Sequence, residues 1–192
     1  AQELDIFMPT WTPGSCLLRE YARNIISLTG SSSDGSPLEI VKTSKNRWNV
    51  DTEGADTVSI QYRMFCREIN VRNNWVESDF AVVNGAPTFL TVVDSYDRPY
   101  LVTVELPEGW ETTASPLPSA GAPNSYSAPD FDTLVDSPLI AGSPQIDSFE
   151  VDGVRHSLVS IGGGGIWDNA RAAKNVHHLV EAQRAFWGSL PY

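Results

Sequence analysis

The chain is poor in positive charge. Lys and Arg number 13 against 24 Asp and Glu in 192 residues, for a formal net charge of −11. A surface of that sign repels phosphate backbones and anionic headgroups, which argues against nucleic acid and a polybasic membrane attachment as partners. Cysteine is scarce, with Cys16 and Cys66 alone. Two thiols exclude a disulfide-rich scaffold and a four-cysteine zinc site; one pairing stays open, free buried thiols are the plainer reading, and the redox compartment is unspecified. Long apolar runs are missing, and none approaches the ~18 residues that span a bilayer. Ala1-Gln2-Glu3-Leu4-Asp5 has neither a basic stretch nor an apolar core, so no signal peptide is expected there. Bacterial cytoplasm and periplasm both remain open as the location.

What is present is greasy enough to fold: hydrophobic residues make up 41% and aromatics 10%, which excludes intrinsic disorder. The length suits one domain, or one domain and a piece of a second. Most of the first 110 residues read as β. From Val58 to Cys66, Val58, Ile60, Tyr62, Met64 and Cys66 alternate with Ser59, Gln61 and Arg63, and Phe65 is the exception. Period two means one buried and one wet face. Tyr100 to Leu106 repeats the pattern. Shorter candidates are Leu4 to Met8, Leu38 to Lys42, Arg47 to Val50, Ile69 to Val71, Phe80 to Val83 and Thr88 to Val93, separated by turn residues. Leu17 to Ile26 is ambiguous and is expected to form a short helical turn that runs into a strand. Frequent turns between short strands predict an antiparallel β-sandwich.

Ser115 to Pro129 holds four prolines among small residues and reads as a surface loop or linker. Phe149 to Val151 and Arg155 to Ile161 read as strands. Asp168 to Trp187 is the one long helix, with Asp168 as its cap, Ala173, Val176, Leu179, Val180 and Phe186 as an apolar stripe, and Gly188 and Pro191 as its stop. The chain therefore divides near residue 137 into a β-rich part (1–137) and a strand-then-helix part (138–192).

Candidate chemistry is thin. Gly162 to Gly165 lies between a strand and a helix, where phosphate can bind. Trp167 and Asp168 stand where the dinucleotide fingerprint needs its last glycine, so a flexible connector is the simpler reading. His177 and Glu181 share a helix face and would supply two metal ligands, while His178 points about 100° away and His156 lies on a strand. The H-E-x-x-H motif and the Gly-x-Ser-x-Gly elbow are both absent. Trp11, Trp48, Trp75 and Trp110 fall one per strand region, as packing residues do; a sandwich that binds peptide or carbohydrate would instead expose some of them along a groove. Asn84-Gly85-Ala86 reads as a hairpin turn, and Asn84 and Gly85 are kept as substrate-contact candidates because loops on a β scaffold reach neighbouring sites.

Taken together, the segments resemble a known family. Pro9-Thr10-Trp11-Thr12-Pro13-Gly14-Ser15 with Leu17 to Ile25, then Lys42 to Trp48, Ile69 to Arg72, Val83-Asn84-Gly85-Ala86 with Phe89-Leu90, Leu106 to Trp110, Phe131 to Pro138, Gly153 to His156 and Glu181 to Tyr192 are similar, in that order, to the glycyl aminopeptidase family. These are gluzincin-type zinc metallopeptidases that often carry a PDZ domain. The first segment and Val135-Asp136-Ser137-Pro138 are the most specific, and Cys16 departs from the pattern, where an aromatic is usual.

The resemblance implies a β-rich N-terminal domain lacking its first strands, followed by the opening strands and first helix of a thermolysin-like catalytic domain. The zinc ligands, the general-base Glu and the H-E-x-x-H helix would all follow Tyr192. The expected function is therefore a non-catalytic fragment of a peptidase that cleaves N-terminal Gly or Ala, inactive alone and without a cofactor of its own. Its expected partners are the rest of the parent, a second copy, and peptide substrate in the parent, with no nucleic acid and no membrane.

Overall fold

Alternation writes the strands. In Val58–Met64 the apolar side chains turn inward while Ser59, Gln61 and Arg63 face water. The computed structural model describes residues 3–12, 14, 15, 17–162 and 165–192. Its elements are β1 (Glu3–Phe7), β2 (Ile25–Ser32), β3 (Pro37–Leu38), β4 (Ile40–Lys42), β5 (Arg47–Asp51), β6 (Val58–Met64), β7 (Trp75–Val76), β8 (Phe80–Val83), β9 (Thr91–Val92), β10 (Tyr100–Thr103), β11 (Thr112–Ala114), β12 (Ser125–Ala128), α1 (Phe131–Val135), β13 (Leu139–Gly142), β14 (Gln145–Val151), β15 (Val154–Ser160) and α2 (Asn169–Trp187). A 3-10 turn at Tyr21–Asn24 leads into β2, as expected of the ambiguous stretch.

The protein is mainly β, with every strand pairing antiparallel. One sheet runs β4-β5-β1-β9, a second β3-β2-β6 and a third β11-β13-β8-β7; β10 with β12 and β14 with β15 form ribbons. Ile6, Trp48 and Val50 of the first sheet pack with Leu28 and Ile60 of the second, and Met8, Tyr21 and Ala86 complete this core. Burying each large side chain there contributes roughly 1.5–3 kcal/mol. A second cluster, Leu117, Ala128, Phe131 and Leu134, joins α1 to the β10–β12 ribbon.

Several expectations need correction. Ile69 to Val71 is a turn, not a strand, because the Asn70 side chain accepts from the amides of Arg72 and Asn73. Leu38 to Lys42 breaks at Glu39 into β3 and β4, which belong to different sheets. Ser115 to Pro129 is not a plain surface loop: Ser125–Ala128 pairs along β10, and Leu117 is 5% exposed. The prolines of this stretch lie outside β12, so its ladder amides stay available. Asn84-Gly85 is not a hairpin turn, since β8 and β9 lie in different sheets.

β13 lies between β11 and β8, so residues 139–142 sit inside the third sheet. Beyond it β14 and β15 join through Asp152 and Gly153, both at positive φ (52° and 79°), as a two-residue type I′ hairpin requires. α2 seats on β14. There the Phe149 ring stacks on His156 and tilts against His177, each at 5.1 Å between centroids, and Arg184 pairs with Asp152. The Asp168 carboxylate caps α2 by accepting from the Arg171 amide (3.0 Å), and Gly188 ends it in the left-handed region. Among the described residues no helix is long and apolar enough to cross a membrane.

Candidate functional site

Asn84 and Gly85 follow β8, where the chain leaves its sheet. The Asn84 amide donates to Asn74 Oδ1 (2.8 Å), and its Nδ2 donates to the Asn73 carbonyl (2.5 Å). Its carbonyl accepts from the Thr88 hydroxyl (2.6 Å), which also accepts from Asn74 Nδ2 (2.8 Å). The Asn84 side chain is therefore engaged in bracing one loop on another. Gly85 is buried for a different reason. A Cβ here would meet the Leu134 carbonyl oxygen at 2.4 Å and Val135 Cα at 2.6 Å. Only glycine lets this backbone touch α1.

Val135, which Gly85 supports from behind, also lines a cavity of about 870 Å³. Its walls are aromatic: Phe7, Trp11, Tyr96 and Phe131. Phe7 sits edge-on to Tyr96 (5.7 Å) and to Phe131 (6.1 Å), and the Phe131 amide donates to the Tyr96 carbonyl (2.9 Å), so this wall is braced from several sides. Asp132 in α1 and Asp136, the residue that caps its C-terminal end, line it four residues apart. The cavity brings Pro9, Thr10 and Trp11 together with Val135, Asp136 and Ser137, residues from the two most specific parts of the family pattern. Sequence reading missed Tyr96, Asp132 and Asp136 as site residues and misjudged Trp11, which is 50% exposed on the cavity wall; Trp48, 6% exposed, is the core residue it was taken to be. The signal available was the coincidence of two specific segments, but nothing in linear order brings them together.

The metal candidates lie elsewhere. His177 Nε2 is 3.7 Å and His178 Nδ1 3.4 Å from the carboxylate of Glu181, so both imidazoles face one acid despite their separation around the helix. Among the described residues this is the one group of three potential ligands, and its ligand atoms lie within 4.8 Å of one another. It does not fit a hydrolytic zinc centre. Its only carboxylate would be a ligand, which leaves no base to take a proton from the metal-bound water. His156 is not part of it; its Nε2 lies 3.2 Å from the Tyr192 hydroxyl. In the Gly162 to Gly165 stretch, Gly162 and Gly165 hold positive φ, while Gly163 and Gly164 lie outside the described residues, as does Cys16. Cys66 is a half-buried free thiol, and burial pushes its pKa up, which disfavours the reactive thiolate.

A sequence model of the Peptidase M61 N-terminal domain matches residues 1–143. The chain belongs to this family. The matched stretch of the M61 N-terminal domain takes in all three sheets, α1 and the aromatic cavity, and stops one residue after β13; β14, β15 and α2 lie beyond it. The chain is also similar to the crystal structure of an aminopeptidase N family protein from Idiomarina loihiensis, with 26% identity and a TM-score of 0.82. The likeness covers 100% of this chain and 33% of that one, so the M61 chain spans about a third of that protein's length. No curated protein matches it.

Proposed function

We propose that this chain is the non-catalytic N-terminal portion of a zinc-dependent aminopeptidase of the glycyl aminopeptidase type, whose complete form removes N-terminal Gly or Ala from peptides. One observation carries the reading: the whole chain matches one third of an aminopeptidase N family protein, while its M61 domain accounts for residues 1–143. The residues from β14 to Tyr192 then belong to the start of the catalytic body. Zinc, held by residues outside this chain, would supply an activated water; the chain itself would contribute a rigid scaffold, a wall beside the cleft and a docking face on α2. That face shows Leu179, Phe186 (78% exposed) and Trp187 (74% exposed), more apolar surface than a free helix ordinarily leaves in water. The remainder of the parent is the partner proposed to cover it.

The test compares three samples on glycyl and alanyl p-nitroanilides: the 192-residue chain, the full reading frame that contains it, and the full protein after chelator treatment. Hydrolysis is expected only from the untreated full protein, with activity restored by added zinc. Turnover by the chain alone, or a full protein indifferent to chelation, overturns the reading.

A further inference from the structure

We propose that the aromatic cavity between Trp11 and α1 is a recognition site for a basic side chain of a peptide, a lysine or arginine carried next to an apolar residue. The choice of a peptide rests on the peptidase reading above; the choice of a cation does not. At about 870 Å³ the cavity lies within the usual range for ligand sites. Four aromatic rings form its walls, and the faces of such rings attract cations. Asp132 and Asp136 add two carboxylates, and no Lys, Arg or His is among the residues that line it. Neither carboxylate has an ion-pair partner among the described residues; Arg47 lies over the Phe7 ring, 5.8 Å from its centroid, and is not among the residues that line the cavity.

An uncharged ligand would leave the two acids idle, and an acidic one would be repelled. A second copy of this chain is disfavoured, because a formal charge of −11 on each copy works against seating one surface in the other's acidic site. A lysine side chain meets both demands: its methylene stem lies along the rings and its ammonium reaches the carboxylates. The wall is prepared for this. Phe7 sits edge-on to both Tyr96 and Phe131, and the Phe131 amide donates to the Tyr96 carbonyl, so little order has to be created on binding.

The experiment uses calorimetry and the Trp11 indole NMR signal with the 192-residue chain. The probes are acetyl-Leu-Lys-Phe-amide, its norleucine isostere acetyl-Leu-Nle-Phe-amide, and Leu-Nle-Phe-amide with a free N-terminus. The lysine peptide is expected to shift the Trp11 signal and to bind about tenfold more tightly than either norleucine peptide. Asp132→Asn and Asp136→Asn should each weaken the lysine peptide about fivefold and leave the norleucine peptides unchanged. Trp11→Ala should weaken all three without loss of fold, since that ring is half exposed. Equal binding of the lysine and norleucine peptides, indifference to both Asp→Asn changes, absence of binding, or a free N-terminus that substitutes for lysine would each overturn the proposal. No turnover is read in this experiment, so its failure leaves the peptidase assignment standing.

Discussion

Gly85 carries the sharpest constraint on any single residue. In Gly85→Ala the new methyl would meet two backbone atoms of α1 at 2.4 and 2.6 Å, neither of which can rotate away as a side chain would. Overpacking of this kind costs about 1–3 kcal/mol. Chemical denaturation should show that loss together with a shift of the Val135 amide signal; an unchanged midpoint would mean the contact is looser than the geometry says. Asp34 gives a cleaner acid-base case. Its carboxylate accepts from the Ser32 hydroxyl (2.5 Å) and the Ser36 amide (3.0 Å), which hold its pKa down, from 3.8 to about 2. A depressed carboxylate favours the folded state above its unfolded pKa, so this contribution is complete above 3.8 and disappears as the pH falls through about 2. An NMR titration should find the Asp34 midpoint at about 2, and Asp34→Ala, which removes the acceptor of both bonds, should loosen the Ser32 to Ser36 turn at neutral pH; titration at the ordinary value would refute the hydrogen bonds. At this scale the sequence was partly legible. Gly85 stood out as part of an Asn-Gly pair that reads as a hairpin turn, but its actual role, close packing on a helix about fifty residues further along the chain, was not visible from its neighbours.

Elements were legible where periodicity was long. Val58–Met64 and the helix after Asp168 have seven or more residues of consistent pattern, and both formed. Strands of two to four residues, such as β11 and β13, have too few positions to show a period and exist because a partner strand supplies their ladder. β12 was masked by surrounding prolines for the same reason. The helix itself depends on local chemistry at its start. Asp168→Ala should remove the bond to the Arg171 amide and cost about 1 kcal/mol of helix stability. Faster amide exchange confined to the first turn of α2 checks this; exchange that rises along the whole helix would show that packing on β14, not the cap, holds its beginning.

Over the whole molecule, burial is uneven. The sandwich core closes on itself between two sheets, whereas α2 covers β14 with one side and leaves Leu179, Phe186 and Trp187 in water. The isolated chain should therefore bind an apolar dye or self-associate at high concentration, and Leu179→Ser with Phe186→Ser should reduce both by at least half. Light scattering that shows a monomer throughout, with dye binding at background, would show that this face needs no cover. The aromatic cavity is also a property of this scale, since β1, the loop after it and α1 meet where α1 packs on the ribbon of β10 and β12.

The order of residues alone determined the acidic surface, the antiparallel β character, the capped long helix and the likeness to a peptidase, because charge, period and short specific segments are all read locally along the chain. Only tertiary structure decided that Asn84 braces a loop and Gly85 packs on α1 instead of turning a hairpin, that Trp11 faces a cavity while Trp48 is buried, and that Asp132 and Asp136 line the same cavity. Those outcomes rest on contacts between segments far apart in the chain, and a contact of that kind leaves no period or motif in either segment.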